Sequence, residues 1–239
     1  MKRHSDLPHD VHPPNFQPGA ILAVEGGTSL QGDPSRVDVL YDYGVRLMTL
    51  MHYMINEIGD IMTAPPQHNG LTHIGQQFVE RMMSLGILVD VAHAHIDTLA
   101  GVVEIADEAG LPIIDSHTSL AHVANYGHTR RRTLEEMEMI AETGGLVCTW
   151  PVRYDPSRVT ILDWANENLE ISRNIGIEHI GLGTDGCGLK CETSLIEGYD
   201  SILDLPKLVE AMDEVGFKRS EIEAYMGGNL FRVTKQCVR

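Results

Sequence analysis

The order of apolar and amphipathic segments predicts an α/β fold built on a parallel sheet. Short apolar runs alternate along the chain with stretches that are apolar on one side only, the pattern of βαβ units. The runs are almost continuously hydrophobic, as strands buried on both faces are. Five of the six end on a side chain able to bind a metal or move a proton. This last feature favours a TIM-type (β/α) barrel over an open doubly wound sheet, because barrel enzymes collect their chemistry where the strands finish.

Taken in order, the expected strands are AILAV (20–24), RLMTLM (46–51), ILVDVA (87–92), PIIDS (112–116), GLVCTW (145–150) and HIGLGT (179–184). Four helices are legible. In THIGQQFVERMMSLG, Ile74, Phe78, Met82 and Leu85 make one stripe. In IDTLAGVVEIADEAG the stripe is Ile96, Leu99, Val103 and Ala106, and Gly110 ends it. TLEEMEMIAETGG opens with Thr133 and Glu136 in capping-box register, and SEIEAYMGG has Ser220 and Glu223 in the same register. No linker-like stretch divides the 239 residues, which are read as one domain, 1–239.

Charge narrows the partners. With 18 basic and 34 acidic residues the net charge is −16, a field that repels nucleic acid and anionic membranes and suits cations. No apolar run approaches the ~20 residues of a membrane span, and MKRHSDLPHDVHPP has no apolar signal core. Four cysteines are too few and too scattered for a disulfide framework, and Cys187 and Cys191 read as two ordinary loop thiols. The expectation is a soluble cytoplasmic protein with neither a nucleic-acid nor a membrane partner.

The residues that follow the apolar runs are Glu25, His52, His93, His117 and Asp185. One such histidine would pass as a structural residue. Five polar side chains at equivalent positions each carry a desolvation cost, and a barrel would bring them into one mouth. Imidazoles and carboxylates suit Zn²⁺ or a similar divalent ion. A metal with an open position lowers the pKa of its water to about 7, so metal-assisted hydrolysis is the reaction class this set implies.

Several segments resemble the membrane (renal) dipeptidases, zinc metallopeptidases on a (β/α)₈ barrel. They are AVEGGTSLQGD, YDYGVRLMTLMHY, NGLTHIGQQFVERMMSLGILVDVAHA, PIIDSHTSL, RRRTLEEMEMIAETGGLV, HIGLGTDG and GGNLFRV, and their order and spacing make the match specific. The resemblance implies that Glu25 bridges two zinc ions and that His93 and His117 complete one zinc site. It implies that His52 contacts the substrate and polarises the scissile carbonyl, that Arg131 grips the substrate carboxylate, and that Asp185 shuttles the proton. Three consecutive arginines leave the register open by one, so Arg130 or Arg132 could stand in for Arg131; the family usually has asparagine where Arg132 stands. The substrates implied are dipeptides.

The N-terminus departs from the family. HSDLP fits the His-x-Asp followed by Leu-Pro that supplies the other zinc site, which makes His4 and Asp6 candidate ligands. Only three residues precede His4, and Asp6 to Glu25 is 19 positions, too short for the family's second strand. The expected barrel is therefore incomplete in segment 1–19, with a short first strand and a missing second one. Two zinc ions are expected, or one if His4 and Asp6 are not in place. A partner chain could fill the gap, so a homodimer is among the expected assemblies. Besides a zinc dipeptidase, two alternatives stay open: another metal-dependent amidohydrolase, or a shortened homologue that binds metal or peptide without turnover. The remaining histidines are expected on the surface, with a supporting place beside the ligands also open for His95, and Asp90 and Asp115 are expected as hydrogen-bonded buried carboxylates.

Overall fold

The structure is a computed structural model that describes residues 19–122, 130–153, 158–186 and 195–238. His4 and Asp6 lie outside the described residues, as do Cys187 and Cys191. The main strands are β1 (Leu22–Glu25), β2 (Val45–Thr49), β3 (Leu88–Asp90), β4 (Ile114–Leu120), β6 (Leu146–Thr149) and β7 (Ile180–Leu182); β5 is the short pair Arg131–Arg132. All pairings are parallel, in the order β1-β2-β3-β4-β6-β7, with β5 alongside the end of β4. Chain order and sheet order coincide, as in a barrel wall. Among the described residues β1 and β7 each have one strand neighbour, so the wall is an open arc.

The four predicted helices form, but their buried faces are not quite the expected stripes: Ile74 is 38% exposed while Phe78, Val79, Met82 and Met83 are buried, and in the next helix Leu99, Val102 and Ala106 are buried. α2 (His73–Leu85) is capped by Thr72, whose hydroxyl accepts from the Gly75 N–H at 2.9 Å, and α3 (Ile96–Ala109) stops at Gly110, which is left-handed at φ 62°. α4 (Leu134–Glu142) carries the full Thr133/Glu136 capping box. Further helices are α1 (Arg36–Tyr43), α5 (Ile161–Ile175), α6 (Leu205–Glu214), α7 (Arg219–Glu223) and α8 (Asn229–Cys237). The capping register expected at Ser220 is corrected. α7 begins two residues earlier, with Lys218 at the cap: Glu221 accepts from the Lys218 N–H at 2.7 Å, and Glu223 instead pairs with Arg219 at 3.0 Å.

Alternation along the strands sorts the core into two. Val89, Ile113 and Val147 face the helices in the larger cluster, with Phe78, Leu99, Ile140 and Trp164. Their neighbours Leu88, Ile114 and Leu146 face the other way and pack with Val233 and Cys237 of α8. Asn229 donates to the carbonyls of Ile177 and Ile180, and Arg232 to those of Gly144 and Glu178. These bonds anchor α8 at the N-terminal ends of β6 and β7 and leave the opposite end of the sheet for the site. Burial of strands on both faces fails at β1, where Leu22 is 52% exposed, because an edge strand has one neighbour to cover it.

Candidate metal centre

Four predicted residues meet at the C-terminal end of the sheet. Glu25 is the last residue of β1, and Gly26 and Gly27 follow it. Gly26 turns at φ 94°; at Gly27 a Cβ would come within 2.5 Å of Ile58 Cδ1 and 2.9 Å of the Leu50 carbonyl. Only glycine lets the chain bend here while holding the carboxylate over the sheet. His52 follows β2, its ring stacked on Tyr53 with centroids 3.7 Å apart. His93 follows β3 in a left-handed conformation, φ 71°, uncommon for a residue with a Cβ. His117 lies within β4.

One carboxylate oxygen gathers the three imidazoles. Glu25 Oε1 lies 3.0 Å from His93 Nε2, 3.4 Å from His117 Nε2 and 3.4 Å from His52 Nε2. Glu25, His93 and His117 each offer a ligand atom, all within 4.8 Å of one another. A hydrogen bond from His93 lowers the pKa of Glu25 to about 2 against the opposing effect of burial, helped by the nearby His117 and His52. Burial lowers His93 to about 3, opposed by its bond to Glu25 and reinforced by Arg130 and the other histidines. Near neutral pH the trio is therefore one anionic carboxylate and at least one neutral imidazole, the protonation a divalent cation requires.

His93 Nε2 also faces Arg130 Nη1 at 2.9 Å. The carboxylate asks for a proton on that nitrogen and the guanidinium asks for a lone pair, so one atom cannot serve both. A cation coordinated by Nε2 and Oε1 would satisfy both ligands at once. The donor set fits zinc, which takes imidazole nitrogen and carboxylate oxygen.

The surroundings orient the ligands. Ser116 Oγ lies 2.8 Å from His117 Nδ1 and donates to Asp90 at 2.6 Å, giving the far side of the ring a hydrogen-bonded partner. Asp90 also accepts from Thr49 Oγ1 and from the Ala92 and Ser116 amides, and Asp115 pairs with Arg132, so both are the bonded buried carboxylates expected. The Trp150 ring sits 5.1 Å from that of His117, with the Arg130 guanidinium 5.2 Å from its centroid. Nothing in the sequence marks Trp150, because a tryptophan at the end of an apolar run looks like core.

Asp185 follows β7 with φ 51°. Burial raises its pKa; His117, Glu25, Arg130 and His52 all act on its charge, so it faces the same group. Burial lowers the pKa of His52, against the attraction of Glu25. Of the three arginines, Arg130 is the one in contact with a metal-site histidine. The charge of Arg131 acts on Glu167 of α5. Arg132 is wholly buried against Asp115 and Glu136. His95, expected at the surface, is buried and caps α3, its Nδ1 accepting from the Asp97 amide at 3.3 Å.

Comparison with known proteins bears on the fold and the family. A family model described as membrane dipeptidase (peptidase family M19) matches residues 12–239. Dipeptidase tcpJ of Claviceps purpurea is 28% identical over 222 residues, 91% of this chain and 50% of that protein. An amidohydrolase from Pseudomonas aeruginosa superposes with a TM-score of 0.80 at 21% identity, over 90% of this chain and 72% of that one. A metallo peptidase from Rhodobacter sphaeroides does so with 0.79 at 19% identity, over 91% and 63%. The chain spans about half the length of the curated relatives it matches. The structural likenesses identify the arc as a TIM-barrel-like α/β fold. The match runs along nearly all of the sequence, and the chain belongs to the membrane dipeptidase family, peptidase family M19.

Proposed function

We propose that the chain is a zinc-dependent dipeptidase. The observation that carries this reading is the convergence of Glu25, His93 and His117, from three separate strand ends, on ligand atoms within 4.8 Å. Glu25, His93 and His117 would hold one ion, and the family resemblance implies that His4 and Asp6 would supply a second site. Zinc held there would supply an activated water as the nucleophile near neutral pH. His52 hydrogen-bonds the scissile carbonyl oxygen and favours the charge that develops there. Asp185, with its pKa raised by burial, keeps a proton more readily than an ordinary aspartate and delivers it to the leaving amine. Arg130, whose Nη1 lies 2.9 Å from His93 Nε2, would grip the substrate carboxylate as a fork if His93 Nε2 were engaged as a metal ligand. Arg130 thus takes the role that the family register assigns to Arg131. The Rhodobacter sphaeroides metallo peptidase was solved with a phosphinate mimic of the dipeptide L-Ala-D-Ala, which supports dipeptides as the substrate class.

The test is metal analysis of the purified chain followed by assay of the zinc-loaded protein on a broad dipeptide panel. Chelator-sensitive release of amino acids is expected; a loaded protein that leaves the whole panel intact would refute the reading. A second reading is metal or peptide binding without turnover, which follows if His4 and Asp6 do not complete the second ion's site. Two ions per chain support catalysis, and one or none supports this alternative.

A further inference from the structure

We propose that Arg132 and Asp115 form a buried positioning pair that fixes the backbone around His93 to the strand carrying His117; this rests on the metal-site reading above. Neither residue is a ligand. Arg132 has no exposed side-chain surface, and its guanidinium meets four acceptors. Nε donates to Asp115 Oδ2 at 2.8 Å, Nη1 to the Ala94 carbonyl at 2.9 Å and to Glu136 Oε1 at 3.1 Å, and Nη2 to the Val91 carbonyl at 2.7 Å.

The two carbonyls bracket His93. Between them the chain makes a tight turn, with the Ala94 amide bonded to the Val91 carbonyl at 3.0 Å and His93 at φ 71°. A residue with a Cβ keeps that conformation only where its surroundings hold it. Arg132 supplies the hold from below the turn. Asp115 carries it across to the next strand, because its other oxygen accepts from the His117 amide at 3.3 Å. Glu136 ties in the start of α4 by accepting from the Thr133 amide at 2.8 Å. One planar group therefore locks both histidine-bearing segments, a task that needs the arginine fork and that a lysine point charge cannot span. A buried ion cluster is a poor route to stability, since apolar packing often does as well; what it supplies here is geometry.

The experiment compares the full chain with Arg132→Lys and Asp115→Asn. Co²⁺ titration is followed by visible absorption, Zn²⁺ affinity by competition, and folding by melting of the metal-free proteins. Variants that melt cooperatively should bind Co²⁺ and Zn²⁺ about 10–100-fold more weakly, the usual effect of losing an outer partner of a metal ligand, with a changed Co²⁺ band. A folded variant with wild-type affinity and band overturns the proposal. Should both variants fail to fold, amide exchange on the wild type decides: Zn²⁺ must slow exchange across residues 131–136, which contain no ligand, and unchanged exchange there overturns the pairing. A wild type that takes up neither metal overturns the metal-site reading, and the pair's role falls with it.

Discussion

The carboxylate of Glu25 lies 3.0 Å from Nε2 of His93, although 68 residues separate them in the chain. β1 and β3 do not touch; β2 lies between them, and the contact is made above its end. Side chains that leave neighbouring parallel strands at the same end are carried towards one another, and an oxygen and a nitrogen at this distance leave room for a shared ion once both turn towards it.

Zinc should stabilise the folded chain through this contact. At a hundredfold excess over Kd the linkage is about 2.7 kcal/mol. At roughly 2–4 °C per kcal/mol for a chain of this size, the melting temperature should rise by several degrees. Glu25→Gln, His93→Asn and His117→Asn should each lose most of that rise. Calorimetry with and without metal measures it, and a rise that survives all three substitutions places the zinc elsewhere.

Arg130 and Arg131 should separate kinetically. Removing a charged hydrogen bond to a substrate carboxylate costs about 1.5–3 kcal/mol. Arg130→Met is thus expected to lower kcat/KM by about 10–100-fold, mainly through KM, and Arg131→Met much less. Steady-state rates on one dipeptide decide it, and the reverse order of effects would restore the family register.

Gly183 should tolerate no side chain. A Cβ there would come within 1.9 Å of the Ser116 carbonyl and 2.9 Å of Cys148 Cβ, a backbone clash between the exit of β7 and β4. Gly183→Ala should cost about 1–3 kcal/mol, the usual scale of overpacking, and weaken metal binding, because Asp185 and His117 sit next to the two points forced apart. Denaturant unfolding and Zn²⁺ titration read the two effects, and an unaltered midpoint would show that the strands part freely.

Glu167 should make stability fall as pH rises. Burial lifts its pKa from 4.5 to about 7, against the pull of Arg158, whose Nε is 3.0 Å away. The folded state therefore binds more protons than the unfolded state between those values, so stability is lost as pH climbs through that window. The full span is worth about 3 kcal/mol. Glu167→Gln should flatten this slope, leaving the variant's stability relative to wild type higher at pH 8 than at pH 5. Melting curves at the two pH values test it, and parallel behaviour of the two proteins counts against a buried, proton-holding Glu167.

Much of this was legible in the residues. Six apolar runs correspond to six strands in the same order; Glu25 ends β1, His52, His93 and Asp185 follow β2, β3 and β7, and His117, expected after its strand, lies inside β4 because that strand runs on to Leu120. Such features are local: alternation, caps and turn glycines are set by neighbours within a few positions. The short β5 escaped, since two arginines carry no strand pattern, and so did the capping register at Lys218, where two acidic residues compete for one helix start.

By itself the sequence determined which side chains end the strands and what chemistry they can do, because the period of two and the apolar runs are properties of the chain. Tertiary structure alone decided which of three adjacent arginines faces His93, which one clamps its backbone, and that β1 is an exposed edge. Those outcomes depend on what packs on each side of a strand, and the packing partners come from segments tens of residues away.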